Sequence, residues 1–492
     1  MIIPFAETER INRLILLGSH KGMTELQFFA AEIREWKQSE KRKQQIAGGD
    51  YYEGRQDILK RQRTIIGEDG ALQAVKNLPN NRLVDNQYAM MVDQKVNYLV
   101  GKPVSFNCLD QSYTEMLNRL FKRKFHRILK YLCEDALKGG IGWLYPYYDG
   151  HGELGFQHFP ACDVLPFWAD EDHTELDCAI RLCPQEVWDG YEKKSIERVE
   201  LFRKDGIHRY FYENDMLIPD VEGGEHENYF YASEKEKTTD LNWDRIPLIP
   251  FKYNKQELPL LSRVKCLQDA INTMLSDFEN NMQEDARNTI LVLKNYDGQD
   301  LGEFRRNLTT YGAVKVRDDG GVETLTVDVT VENYKGILEL LKKALIENAR
   351  GYNASELRSA GTPNQMNIKS VLNDLDLDAN QMETEFQAAF EQLLWFVNQD
   401  LANKGLGNFD SKDVTVVFNR DTIINDTEVI AGLQQSVGIL SMETLTELHP
   451  WVDNTEAELD RLRKEKEEAF KQAQEYTGAF KGQREDEMEK DS

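Results

Sequence analysis

Two stretches of helical period with a β-type insert between them constrain this chain more than any other feature. From Leu261 onward, Leu261, Val264, Leu267, Ile271, Met274, Leu275, Phe278 and Met282 fall on one apolar stripe, and Ser262 is placed to cap its start. Residues 264–285 at 1.5 Å each predict a rod of about 33 Å. Short β-type runs follow at Thr289–Leu293, Ala313–Val316 and Glu323–Val327, with turn signals at Asp297-Gly298 and Asp319-Gly320-Gly321. A second helix of about Val331–Arg350 puts Tyr334, Ile337, Leu338, Leu341 and Leu345 on its apolar side. A small β unit between two long helices is a poor way to build one compact core. It is an efficient way to build a projecting stalk with a tip. Such a stalk leaves its apolar stripe bare unless neighbouring copies cover it, which points to head-to-tail contacts in a ring that closes on itself.

The flanking sequence reads as an α+β chain. Residues 1–75 are polar and helical in pattern. Glu32-Ile-Arg-Glu-Trp36 belongs to an amphipathic helix, and Tyr51-Tyr-Glu-Gly54 marks the turn after it. The basic clusters Lys41-Arg-Lys43 and Lys60-Arg-Gln-Arg63 read as solvated helix faces. In Arg82–Asn107, Leu83, Tyr88, Met91, Val92, Val96 and Leu99 recur at helical spacing, Gly101 and Pro103 stop the helix, and Val104-Ser-Phe106 is extended. Helices near Tyr113–Leu120 and Phe125–Lys138 come next, the latter ended by Gly139-Gly140. From Gly142 to Pro250 short β-type runs at Trp143–Tyr148, Gly155–Phe159, Asp177–Leu182, Glu197–Phe202 and His208–Tyr212 predict an antiparallel region. Val221–Asp240 reads as a loose polar excursion, and Pro247-Leu-Ile-Pro250 closes the region.

After the second stalk helix, Gly351–Gln365 is small, polar and unpatterned, hence a loop. One long helix is expected from about Met366 to Asn403, with Ile368, Leu372, Leu375, Met382, Phe386, Phe390, Leu393 and Val397 inward and Gly405 and Gly407 at its end. A strand at Val414–Phe418 follows, then helices at about Asp426–Val437, Ser441–His449 (capped by Ser441) and Asn454–Gln474. The acidic end Arg484–Ser492 has a disordered composition.

Chemistry-bearing motifs are lacking. The net charge of −25 over 492 residues is the reverse of a duplex-gripping surface. Gly101-Lys102 is followed by Pro103 without the glycines of a P-loop, and no GxSxG or HExxH occurs. The six cysteines form no CxxC, and the eight dispersed histidines complete no zinc spacing, so neither a metal nor a cofactor is expected. Asp374-Leu-Asp-Leu-Asp378 with Glu385 has some calcium-loop spacing, but Ala379 stands where the turn glycine is needed, so a helix carrying acids is the better reading. No apolar run reaches about 18 residues, and Met1–Arg10 lacks the features of a secretory signal. A non-enzymatic cytoplasmic product with no membrane span is expected.

Several ordered pieces carry a resemblance. They are Glu32–Trp36 with Tyr51–Gly54, Val84-Asp-Asn-Gln-Tyr88 with Tyr98-Leu-Val-Gly-Lys-Pro103, and Ile246-Pro-Leu-Ile-Pro-Phe251 leading into Leu267-Gln-Asp-Ala-Ile-Asn272 and Ser276-Asp277. The last is Phe418-Asn-Arg-Asp-Thr422 through Ile439-Leu-Ser-Met-Glu-Thr-Leu445 to Pro450. In this order they resemble the portal proteins of long-tailed bacteriophages, of the type found in Gram-positive-host siphophages.

The resemblance implies a portal fold. Residues 1–257 would be an α/β wing, 258–287 and 331–350 the two stem helices, and 288–330 a β-containing clip. Residues 351–367 would be a tunnel loop, 368–421 the long wing-spanning helix with a return strand, and 422–492 a helical crown with the acidic tail. It also implies a homo-oligomeric ring, usually a dodecamer, at one capsid vertex of the virion, assembled in the host cytoplasm. Double-stranded DNA would pass through it without sequence specificity during packaging, retention and ejection. The implied partners are the terminase large subunit, the major capsid and scaffolding proteins and a head-completion adaptor; the packaging ATPase would be another protein.

Twelve copies would carry about −300, so an acid-lined bore would let DNA slide. Candidate lining acids are Asp269, Asp277, Glu279, Glu284, Glu332, Glu339 and Glu347, with Glu339 and Lys343 a possible i,i+4 pair. In the loop, Arg358 and Lys369 offer positive charge, and Asn353, Ser355, Asn364 and Gln365 offer neutral hydrogen-bonding groups suited to backbone-directed contacts. Two other classes fit the composition: a helical scaffold or adaptor with no DNA path, and a Mg²⁺-dependent nuclease built on the abundant carboxylates.

Overall fold

In the computed structural model, residues 23–66, 70–74, 79–234, 237–285, 290–296, 302, 316–325, 331–353, 365–420, 426–452, 455 and 458–468 are described. The chain divides into two compact units, Met1–Tyr352 with Asp374–Asp421 and Asn353–Asn373 with Thr422–Ser492. The expectations for residues 1–22, for the Asp297-Gly298 turn and for the acidic tail lie outside the described residues.

Among the described residues, the first unit begins with two capped helices. Thr24 and Gln27 exchange side-chain and backbone hydrogen bonds at the start of α1 (Glu25–Gln38), a reciprocal cap that satisfies two otherwise orphaned N–H groups. Ser39 ends α1 and caps α2 (Glu40–Tyr52). A short hairpin, β1 (Thr64–Ile66) with β2 (Leu72–Ala74), stands where the sequence predicts only helix. The sheet apart, α3 (Gln87–Val100) begins at an Asn86 cap, so Leu83 precedes the helix and is exposed rather than on its apolar stripe. Strand β3 (Ser105–Asn107), α4 (Gln111–Leu120) and α5 (Arg123–Gly139) follow as the spacing predicts.

The β region is antiparallel throughout. β4 (Ile141–Tyr148) lies between β5 (Leu154–Pro160) and β14 (Ile249–Lys252). The larger sheet runs β10 (Met216–Pro219), β9 (Gly206–Glu213), β8 (Glu192–Arg203), β7 (Leu176–Asp189), β6 (Val164–Trp168), with β11 (His226–Glu227) also on β9. Residues alternate between its two faces. Leu165, Phe167, Ile180, Leu182, Val199 and Leu201 meet Phe28, Phe29, Ile33 and Trp36 of α1. Val164, Trp168, Ala179 and Phe202 join Trp143 and Phe159 on the other side. With both faces covered, β6 is apolar without a gap, which is why alternation does not reveal it. The stretch expected as a loose excursion instead holds β11 and the hairpin β12 (Phe230–Glu234) with β13 (Lys237–Leu241).

Two helices then frame the β insert. α6 (Leu261–Asp285) and α7 (Val331–Asn348) meet through the Phe278 and Tyr334 rings, 5.2 Å apart, and through Asn281 donating to the Tyr334 hydroxyl at 3.0 Å. Between them β15 (Ile290–Tyr296) pairs with β16 (Val316–Leu325). Asp319-Gly320-Gly321 is no turn between two strands; it lies inside β16, where the register jumps from Lys294↔Gly321 to Tyr296↔Val316.

α8 spans Gln365–Asn403, 39 residues, with every apolar residue expected to face inward buried. In the first unit its Phe386 and Phe390 rings meet Phe251, Phe125 and Phe418. Gly405 and Gly407 end it at positive φ, and β17 (Thr415–Val417) returns to pair with β3. In the second unit, α9 (Asp426–Gln435) and α10 (Met442–Glu447) are present, the latter capped by Ser441 as expected, and residues 458–468 are helical. Ile430, Leu433, Leu445, Val452 and Leu462 line one apolar groove there.

Candidate functional site

Helices α6 and α7 are rooted by polar contacts that helical periodicity does not reveal. On α6 the deepest residues are not all apolar. Gln268, Asn272 and Ser276 have no exposed surface, and Asn280 has almost none. They stand at i, i+4, i+8 and i+12, one row along the helix. Each accepts a backbone N–H from the segment leading into α3. Asn81 donates to Asn280 Oδ1 (2.8 Å), Leu83 to Ser276 Oγ (2.9 Å), Asp85 to Asn272 Oδ1 (2.9 Å) and Tyr88 to Gln268 Oε1 (3.0 Å). The match is geometric. Four helical residues rise about 6.0 Å, and two extended residues advance about 6.6 Å, so every second N–H of 81–85 finds the next rung. Gln268 Nε2 also donates to the Asp85 carbonyl (2.7 Å), and Asn272 Nδ2 donates to buried Gln56. The seam joins α6 to a segment nearly 200 residues earlier, which satisfies backbone groups that no secondary structure pairs.

A buried ion cluster holds the bases of both helices. Asp378 of α8 accepts from Lys95 Nζ (2.8 Å), the Tyr253 hydroxyl (2.7 Å) and Arg263 Nη1 (3.0 Å), with Arg350 Nη1 at 3.6 Å. These groups come from α3, the end of β14, the start of α6 and the end of α7. Burial pushes the Asp378 carboxyl up, but Lys95 and the hydrogen bonds from Lys95, Tyr253 and Arg263 outweigh it and hold the group below the usual carboxylate range. Burial pulls Lys95 down, offset in part by Asp378. Burial and then the Asp378 charge raise the Tyr253 hydroxyl well above its ordinary range.

The exit of α7 is also fixed. Arg350 takes a positive φ, and Gly351 closes the last turn by donating to the Ile346 carbonyl at 2.9 Å. A Cβ at Gly351 would lie 2.4 Å from Met91 Sδ and 2.8 Å from Gln94 Oε1, so a larger residue there would have to displace both side-chain ends. Gln94 then clamps Tyr352 by both backbone groups, donating to its carbonyl and accepting from its N–H, each at 3.0 Å. On α8, Asp376 accepts from the Tyr98 hydroxyl and from Arg420 Nη1 (3.0 Å). The acids 374–378 are therefore helical, and two of them serve as anchors.

The candidate contact residues distribute unevenly. Ser355, Arg358 and Asn364 lie outside the described residues, Gln365 opens α8, Asn353 is half-buried, and Lys369 is helical and exposed. Among the candidate acids, Asp277 faces Arg61 (2.9 Å), and Asp269 joins Lys265 (2.8 Å) and the Tyr51 hydroxyl (2.6 Å). Glu279 accepts from Gln283 (2.9 Å), and the Glu284 side chain lies outside the described residues. Glu332 is exposed. Glu339 pairs with Lys335 rather than Lys343, and Lys343 pairs with Glu347, both at 3.9 Å. Glu332, Glu339 and Glu347 share α7 with Lys335, Lys342 and Lys343, so α7 is charge-balanced and the acid excess lies on α6.

The sequence signature described as "Phage portal protein, SPP1 Gp6-like" matches residues 34–472. The portal protein of Bacillus phage SPP1 is 30% identical over 429 residues, covering 85% of this chain and 83% of that protein. The portal protein of Clostridium phage phiCD119 is 26% identical over 458 residues, covering 89% and 96% respectively. The matched span contains the polar seam, the Asp378 cluster and the whole of α8, and on that breadth the chain belongs to the SPP1 Gp6-like family of phage portal proteins.

Proposed function

We propose that copies of this chain, twelve in the usual family arrangement, close into a ring at one capsid vertex of the virion. Double-stranded DNA is packaged, retained and ejected through its bore. Family membership over residues 34–472 carries this reading. In it, residues 1–257 are the wing, α6 and α7 the stem, 288–330 the clip, 351–367 the tunnel loop and 422–492 the crown with its tail. The packaging motor is a separate terminase, and the ring docks it, the capsid and scaffolding proteins and later a head-completion adaptor. The ring does no chemistry of its own.

The stem pair supports the oligomeric part of this reading. Met282, Val331, Ile337 and Leu340 are 46%, 52%, 47% and 69% exposed in a single copy. Neighbouring copies in a ring would cover these residues. The charge of −25 supports the bore, because an acidic lining does not hold phosphates. Glu279, Glu284, Glu332, Glu339 and Glu347 are the favoured lining acids: Glu339 and Glu347 meet Lys335 and Lys343 only as exposed pairs at 3.9 Å, whereas Asp277 and Asp269 are held by Arg61 at 2.9 Å and Lys265 at 2.8 Å. Asn353, Ser355, Arg358, Asn364, Gln365 and Lys369 make the closest approach to the DNA backbone. Charge reversal by R358E or K369E is expected to impair packaging or DNA retention while rings still form. Full packaging by both variants would remove the contact role.

A further inference from the structure

We propose that Asp205, His208 and His226 form a binding site for one divalent transition-metal ion of the zinc class. The two histidines are 18 positions apart, well outside the H-x3–5-H spacing of paired zinc histidines, and the sequence gives no hint that they meet. The sheet brings them together. β11 pairs antiparallel with β9 so that His226 stands directly opposite His208. Directly opposed residues point to the same face, and the two imidazole rings lie 4.7 Å apart. Asp205, in the turn between β8 and β9, brings its Oδ2 to 3.2 Å from His208 Nε2. One ligand atom from each of the three residues lies within 4.8 Å of the others.

A tetrahedral ion with bonds of about 2.0–2.2 Å needs its ligands about 3.3–3.6 Å apart. The site therefore closes on an ion by small side-chain rotations, and the exposed Asp205 carboxylate is free to make them. Existing contacts do not oppose this. His226 Nε2 lies 2.9 Å from the Asp205 carbonyl, which also accepts from Asn242 Nδ2 at 2.7 Å. When the imidazole turns to a metal, that carbonyl keeps a donor. Gly206 makes the seat. Its φ of +134° suits glycine, and a Cβ there would lie 3.0 Å from His226 Nε2 and 2.4 Å from the Glu227 carbonyl.

Two imidazoles and one carboxylate select zinc-like ions over magnesium or calcium, which prefer all-oxygen shells. Three protein ligands at a solvent-facing edge leave a fourth position for water. Bound metal would tie the β8–β9 turn to β11 and close the excursion through β10.

The test uses the full chain, freed of metal by a chelator and dialysed against Zn²⁺. One ion per chain is expected, with affinity at least tenfold lower in H226A and in D205N, and unaffected by excess Mg²⁺. Zn²⁺ should raise the Tm of the wild type and not that of H226A. Substitution with Co²⁺ should give visible d–d absorption without a thiolate charge-transfer band. Retention of no zinc, unchanged affinity in H226A and D205N, or a thiolate band lost on Cys266→Ser would each overturn the assignment. A circular dichroism spectrum matching the wild type confirms that a variant is folded, and D205N keeps the test decisive if H226A is not.

Discussion

The contacts that root the α6–α7 pair and the side chains it leaves exposed follow opposite rules. The root is polar: the Gln268–Asn280 row takes backbone N–H groups, and Asp378 draws Lys95, Arg263 and Arg350 together. The exposed set is apolar: Met282, Val331, Ile337 and Leu340 are 46%, 52%, 47% and 69% exposed in a single copy. Hydrogen bonds and buried ion pairs are directional, and they lose their value once a partner shifts. They suit a root that must keep one register. Apolar contact is non-directional, and it suits a surface that meets another copy. The apolar stripe divides along its length: Val264, Ile271 and Leu345 have no exposed surface in a single copy, whereas Met282 and Ile337 are left exposed.

The largest expected effect comes from removing the shared anion. Asp378→Ala leaves three cations around a buried site without compensation and should destabilise the first unit by about 3–5 kcal/mol, read as a fall in thermal midpoint. Asp378 also sets a pH dependence. Its folded pKa lies below the ordinary carboxylate value. Its contribution is therefore full above the unfolded value of about 3.9 and is lost as pH falls through the folded value. D378N should remove that acid-side loss; an acid limb unchanged in D378N would show that the cluster does not couple to folding.

Next in size, Asn272→Ala orphans the Asp85 N–H and Gln56 Oε1. At about 1–3 kcal/mol for each unsatisfied buried group, the loss should be at least about 2 kcal/mol in urea unfolding. A loss below about 0.5 kcal/mol would break the comparison, because the seam would then not anchor the root. Gly351→Ala drives a Cβ into Met91 and Gln94 and should cost about 1–2 kcal/mol. Hydrogen exchange at the Tyr352 amide, now held by Gln94, should accelerate with it. The smallest effect on a single copy belongs to Leu340→Ser. At 69% exposure its stability should change by no more than about 0.5 kcal/mol, while the ring fraction in size-exclusion chromatography falls. Equal losses in Asn272→Ala and Leu340→Ser would erase the distinction between root and exposed surface.

The sequence makes α8 legible over nearly all of its 39 residues, because a single apolar row runs its whole length and Gly405 and Gly407 mark its end. Ser441 as a cap is legible for the same local reason. The seam is not. Gln268, Asn272, Ser276 and Asn280 look like a solvated polar row, and only their non-local partners at 81–88 reverse that reading. β6 and the hairpin β12–β13 escape because neither shows clean alternation between turn signals. The Asp319-Gly-Gly321 turn is misplaced because a bulge and a turn use the same residues. At the candidate site, the acids are visible as residue types, but their pairing with Arg61, Lys265, Lys335 and Lys343 depends on rotamers and neighbours. Asp378 stands out in the sequence only as one acid in an alternating run, and its three cations converge on it only in the fold.

Averaged electron micrographs of the purified full chain test the central claim most directly. We predict closed rings with a central opening and with the Met282, Ile337 and Leu340 surfaces at the contacts between copies. Single copies or open rods at concentrations where the chain is folded would contradict it.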